Sequence, residues 1–307
     1  VALLFVARVF LGTTLFPPAL AAVLVFVVSV AFVALPIFGL FQAASHSWTA
    51  KPAWLLLAGG AVIHAAAALL LRSMPPSGLP SVIVEALGQV GLSGWTLGLG
   101  VLVAMLIKDK NMILPIAVFL AGFDIFLVFS PKGPTAKFIE AQPEVFQSIA
   151  MSVPTPRPTG PEAPAGAAVQ PMAFVGPADL FFVATFFVCL YRFKMRVAAT
   201  AKWLVPVMAA YLLVVLLPTG LGMLPALVPI GATVLLVNRG QFKLSRDEAI
   251  GTAMAVGLAV MLAGYGIYSR VTHKRTEPPS VPSSAAPVPN AATRPATPAP
   301  DGLDRSR

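Results

Sequence analysis

The chain has 307 residues, 57% of them hydrophobic and 11% charged, with a net charge of +9 and a mean hydropathy of +0.85. Soluble domains carry about 25% charged residues, so this composition excludes an ordinary soluble globule and points to an all-α, polytopic membrane protein. The basic excess reads as topology-setting loop charge and not as a nucleic-acid surface, because no basic patch is interleaved with exposed aromatics; the single cysteine, Cys189, excludes an internal disulfide and a thiolate metal cluster.

In chain order, the first apolar stretch, 2–16, is a short candidate span ended by Pro17-Pro18. It contains Arg8 and lacks a small-residue cleavage site, so a signal peptide is not expected. Eight further runs are long enough to read as membrane helices, at about 19–41, 53–71, 86–107, 112–130, 171–191, 200–217, 219–237 and 249–268. The expected architecture is therefore a bundle of eight to nine spans.

Turn residues punctuate the runs: Lys51-Pro52, Pro75-Pro76-Ser77-Gly78 and Pro218-Thr219-Gly220. Gly94 with Gly98, and Ala253 with Gly257, put small residues four apart, which suits ordinary close helix packing. The 131–170 stretch is a long loop rich in Pro, Thr and Ala, and 276–307 reads as a disordered Pro/Ala-rich tail. No internal repeat is visible.

These divisions give N-terminal membrane helices over 1–111, a core over 112–240 that includes the 131–170 loop, an extra C-terminal helix over 241–275, and the tail. The connections at 108–110, 192–202 and 238–248 are basic and alternate with the others, so all three belong on one face, which the positive-inside rule makes cytoplasmic. Arg270, Lys274 and Arg275, after the last helix, run against that assignment.

Two acids stand out. Asp124 is the only charge between Lys110 and Lys132, and Asp179 is the only charge in the run from Pro171 to Tyr191. A carboxylate in lipid is costly unless something compensates it, which makes each a candidate functional residue. Counted from the face of the 131–170 loop at 1.5 Å per residue, Asp124 lies ~9 Å deep, Asp179 ~12 Å, and Leu224-Pro225-Ala226-Leu227 ~9 Å. Two carboxyls meeting at one level share a proton, so one takes a proton from water while the other gives one to a substrate carbonyl or amine. That chemistry needs no metal or cofactor.

A helical peptide bond is shielded, so a membrane-embedded substrate must unwind to be cut. Pro225 interrupts its helix, Gly176-Pro177-Ala178 loosens the start of the Asp179 helix, and Met172-Ala173-Phe174-Val175 offers an edge for an extended peptide. His64 reads as a packing histidine, His46 and His273 as loop residues, Glu85 as an interfacial residue and Lys132 as a solvated loop lysine. Three scattered histidines make no metal site.

Phe123-Asp124, Gly176-Pro177-Ala178-Asp179 and Pro225-Ala226-Leu227 together resemble the presenilin and signal peptide peptidase family of intramembrane aspartyl proteases, whose motifs are aromatic-Asp, Gly-x-Gly-Asp and Pro-Ala-Leu in successive helices. Ser130-Pro131-Lys132-Gly133-Pro134 and Glu140-Ala141-Gln142 resemble the presenilin branch, and Leu190-Tyr191-Arg192-Phe193 the signal peptide peptidase branch. The likeness covers roughly 112–240.

The resemblance implies about nine spans, Asp124 and Asp179 as catalytic residues, and Phe123, Gly176, Pro177, Ala178, Pro225, Ala226 and Leu227 as their substrate-binding surroundings. It implies no cofactor and no metal, transmembrane helical peptides as substrates, the lipid bilayer as the medium and no nucleic-acid partner. The expected setting is a prokaryotic plasma membrane. Three departures stand against the pattern: Phe123 replaces a tyrosine, Ala178 replaces the second glycine, and a helix follows the Pro-Ala-Leu helix. The alternatives are a proton-coupled transporter, which also uses buried carboxyls but favours repeat symmetry, and an inactive scaffold of the same fold.

Overall fold

Each of the eight apolar runs forms an α-helix. The computed structural model describes residues 15–16, 18–75, 78–130, 137, 141–142, 149–154, 157–158, 171–216 and 224–276. In order the helices are α1 (Pro18–Ala44), α2 (Ala50–Ser73), α3 (Leu79–Leu106), α4 (Ile113–Phe129), α5 (Pro177–Arg192), α6 (Val197–Leu216), α7 (Leu227–Asn238) and α8 (Arg246–Thr276). Two single-turn 3-10 helices, Lys110–Met112 and Arg239–Gln241, and four short strands are also described: β1 (Leu15–Phe16), β2 (Met151–Pro154), β3 (Arg157–Pro158) and β4 (Pro171–Val175). β1 pairs with β3 in parallel, and β2 pairs with β4 antiparallel, with Met151 opposite Val175 and Val153 opposite Ala173.

Among the described residues, six helices are long and apolar enough to cross a membrane, as expected of an integral membrane protein. α5 and α7 are shorter, with 16 and 12 residues. α5 is the central helix. It is buried continuously from Val183 to Leu190, with Phe187 and Cys189 in the core, so it has no polar face to turn outward. α2 and α8 lie at the periphery, where Trp54, Leu55, Val62, Met254, Val260 and Met261 are exposed, as suits lipid-facing surfaces.

Small residues set how close the helices come. A Cβ added at Gly98 would stand 2.5 Å from the Leu57 nitrogen, and one at Gly91 2.6 Å from that of His64, so α2 and α3 pack backbone to backbone. Gly100 does the same between α3 and α5, 2.8 Å from the Ala184 Cβ. Gly122 of α4 meets Ala259 of α8 at 2.6 Å, and Gly266 of α8 meets the Phe126 Cα at 2.9 Å. α8 thus lies along the Asp124 helix. α4 also packs on α7 and makes at most marginal contact with α5.

Hydrogen bonds gather the three basic connections on one face. The Arg192 guanidinium donates to the carbonyls of Ala104 and Ile107, both at 2.9 Å, capping the end of α3 from α5. Asn238, fully buried, donates to Thr200 Oγ1 at 2.9 Å and accepts from the Arg196 N–H at 3.0 Å, which ties α7 to α6. Asn111 donates to the Lys243 carbonyl at 3.0 Å and to Glu248, which ties the start of α4 to the start of α8.

Several expectations change. Residues 171–175 are a strand and not the first turns of a helix, because β2 takes up their backbone groups and Gly176-Pro177 then starts α5 with proline in its first turn. α7 begins at Leu227 and not at 219, so Pro225-Ala226 precede the helix and do not lie inside it. Ala253 and Gly257 are exposed, and a Cβ on Gly257 meets open space; the close approach on α8 uses Ala259 and Gly266 instead. His273 belongs to the last turns of α8 and not to a loop, whereas His46 does lie in the α1–α2 connection.

His64 Nδ1 bonds the Gly88 carbonyl at 2.9 Å across the α2–α3 contact, a packing role. Glu85 is half-buried in the second turn of α3. Residues 2–14, Pro218-Thr219-Gly220, Lys132, most of the 131–170 loop and the tail beyond Thr276 lie outside the described residues.

The glycine contacts lead to a paired test. Gly98→Ala is expected to destabilise the protein by about 1–3 kcal/mol, because a methyl forced against the α2 backbone must separate the helices. Gly257→Ala, with free space around it, is expected to be neutral or stabilising. Thermal unfolding of the two variants in detergent compares them directly, and equal losses would contradict the packing described.

Candidate active site

The ties on the basic face give the helices a common origin for measuring depth. Asp124 is eleven residues from the start of α4, or ~17 Å from that face. Asp179 is thirteen residues before Arg192, or ~20 Å, and Leu227 is eleven before Asn238, or ~17 Å. Three stretches separated by long spans of sequence therefore reach one level.

α5 starts at that level. Gly176 is its N-cap and Pro177 its first residue, and Asp179 falls in the first turn. The Gly176 N–H donates to Asp179 Oδ2 at 3.2 Å, and the Asp179 N–H donates back to the Gly176 carbonyl at 3.1 Å. This reciprocal pair satisfies two backbone donors that a helix start otherwise leaves open. A Cβ on Gly176 would stand 3.2 Å from Asp179 Oδ2, so glycine here leaves the carboxylate its room. Pro177, half-buried, and Ala178, exposed, lie in this same turn.

α7 also starts at that level. Pro225 and Pro229 have no N–H to give, and the Ile230 N–H returns to the Ala226 carbonyl at 3.4 Å. The Leu227 N–H is taken by another helix: it donates to Asp124 Oδ2 at 2.8 Å. Asp124 is thus the cap of α7 supplied from α4. Pro225 and Leu227 are buried.

Asp124 and Asp179 lie within electrostatic range of each other. Of the surrounding residues expected from the sequence, Gly176 and Leu227 bond the two acids directly, and Pro177, Ala178, Pro225 and Ala226 adjoin those bonds. Phe123 does not join them. Its ring stacks on Phe119 with centroids 5.8 Å apart and lies 6.3 Å from Phe126, on the outer side of α4.

One neighbour was not singled out in the sequence. Tyr211 of α6 is fourteen residues from the start of its helix, or ~21 Å from the basic face. Its hydroxyl donates to the Leu224 carbonyl, and its oxygen lies within electrostatic range of both acids. The only signal for it in the sequence is a lone tyrosine in an apolar run, whose hydroxyl requires a partner wherever it is buried.

Comparisons with protein-family models, with characterised proteins and with solved structures find no match to this chain.

The Leu227 bond is open to a direct test. Asp124→Ala leaves that N–H without an acceptor and is expected to cost about 1–3 kcal/mol of stability, whereas Asp124→Asn keeps an acceptor oxygen and loses less. Thermal unfolding in detergent ranks the two; equal losses would mean that the carboxylate does not hold α7.

Proposed function

We propose that this chain is an intramembrane aspartic endopeptidase of the presenilin and signal peptide peptidase kind, with eight to nine spans, that cleaves transmembrane segments using Asp124 and Asp179. The observation that carries this reading is the hydrogen bond from the Leu227 N–H to Asp124, with Asp179 in electrostatic range. That bond joins two of the three resembling motifs, and the carboxyl of the third, Asp179, lies in electrostatic range of it.

In this mechanism the two carboxyls hold one proton between them. A water bound between them loses a proton to the ionised carboxylate as its oxygen attacks the scissile carbonyl carbon. The other carboxyl gives its proton to the carbonyl oxygen, and a tetrahedral diol results. The C–N bond then breaks as a proton passes to the leaving amine, and a carboxylic acid and an amine are released. The acids act as a unit, so neither has a fixed role.

The half-helices α5 and α7 suit such a reaction, because non-helical backbone inside a membrane is tolerated only against protein or a watery cavity. β4 leads straight into the Asp179 turn, and among the described residues its only strand partner is β2. Its other edge suits an unwound substrate strand, which would gain main-chain hydrogen bonds next to the acids. The basic face is cytoplasmic by the positive-inside rule.

Purified protein in lipid nanodiscs with a membrane-spanning peptide tests the reading. Cleavage is expected, with a fall of at least about a hundredfold in both Asp124→Asn and Asp179→Asn. Inhibition by analogues bearing a hydroxyl in place of the scissile carbonyl is expected as well. The rate should pass through a maximum with pH, since neither the doubly protonated nor the doubly ionised pair works. Proton flux through the wild type without any cleavage would make it a transporter instead.

A further inference from the structure

Leu224 is the last residue before Pro225, and α7 does not begin until Leu227. The Leu224 carbonyl therefore has no place in the helix that follows. A backbone carbonyl at this depth needs a donor, and the Tyr211 hydroxyl supplies one from α6. The segment Leu224–Leu227 is thus held at both ends by side chains of other helices: Tyr211 at the Leu224 carbonyl, and Asp124 at the Leu227 N–H.

Between the two anchors lie only Pro225, whose ring fixes φ, and Ala226, whose backbone is already helical at φ −78° and ψ −24°. Few torsions are left free. The direction of the Leu224 carbonyl therefore largely sets the direction of the Leu227 N–H. α6 and α7 are already locked together at their other ends by Asn238 and Thr200, so the phenol works from a fixed base.

We propose that Tyr211 is a positioning residue of the dyad: its hydroxyl holds the Leu224 carbonyl and so aims the Leu227 N–H at Asp124. Its catalytic consequence rests on the hydrolytic reading of Asp124 and Asp179; its structural consequence does not. The phenol bonds the loop backbone, so its loss acts on the orientation of one acid.

Tyr211→Phe removes the hydroxyl and keeps the ring. Two measurements on the full chain in nanodiscs decide the matter. In hydrogen exchange, the amides of 226–228 are expected to exchange about tenfold faster in Tyr211→Phe, as they also should in Asp124→Ala. In turnover of a membrane-spanning peptide, kcat is expected to fall about tenfold with KM unchanged, the mark of a lost orientation and not of lost binding.

Unchanged exchange in Tyr211→Phe overturns the proposal, because the loop then holds itself. Faster exchange with wild-type kcat overturns it equally, because the loop then does not matter to the acid. A wild type that cleaves nothing defeats the hydrolytic reading, and the exchange measurement still decides whether the hydroxyl aims Leu227.

Discussion

Backbone donors and carboxylates are each costly inside a membrane, and this protein sets one against the other. α5 and α7 both begin part-way along the bundle, and a helix start leaves N–H groups without partners. At α5 the carboxylate of Asp179 turns back onto its own N-cap, and at α7 the carboxylate of Asp124 arrives from α4. Each pairing offsets the penalty of both members. The same pairing decides where the acids stand. They stand at one level because two helix starts do, and so the level of the candidate site is set by where the helices break.

That level is held from the far end of the bundle. Arg192 of α5 bonded to the end of α3, Asn238 of α7 bonded to α6, and Asn111 before α4 bonded to the start of α8 fix how the helices slide along one another. From those anchors, the rise of an α-helix brings Asp124, Asp179, Leu227 and Tyr211 to within about one turn of each other. Glycines then set the sideways spacing. α5 is seated centrally against α3 through Gly100, whereas α4 is braced from outside by α8 through Gly122, Ala259 and Gly266. Because α4 scarcely touches α5, the relation between the two acids is carried by α7, which packs on α4 and also reaches α5. The helix that follows the Pro-Ala-Leu stretch is in this sense part of the support of Asp124 and not an appendage.

Phe123 and Tyr211 illustrate how a local motif and a three-dimensional site diverge. The residue before Asp124 turns its ring to Phe119 and Phe126, as neighbours on one helix face do. The aromatic hydroxyl near the acids comes from α6 instead. Pro218-Thr219-Gly220 between them announces a turn, but a turn alone does not say which residue of α6 lies next to Leu224.

The apolar runs by themselves determined the eight helices and the two acids worth asking about, because in a membrane protein length and hydropathy are close to the whole physical requirement for a helix. Loop charge likewise determined which connections share a face, and the Pro and Gly residues marked the neighbourhoods where the site would form. Only the folded chain decided where α5 and α7 begin, since an apolar stretch such as 171–175 suits a strand as well as a helix until β2 supplies its partner. It alone decided that Gly98 and Gly122 are contact points while Gly257 is not, because a small residue gains meaning from the helix opposite. Tertiary packing alone, too, gave the Leu227 N–H to Asp124 and the Leu224 carbonyl to Tyr211, because a hydrogen bond between distant segments depends on distances that no local pattern encodes.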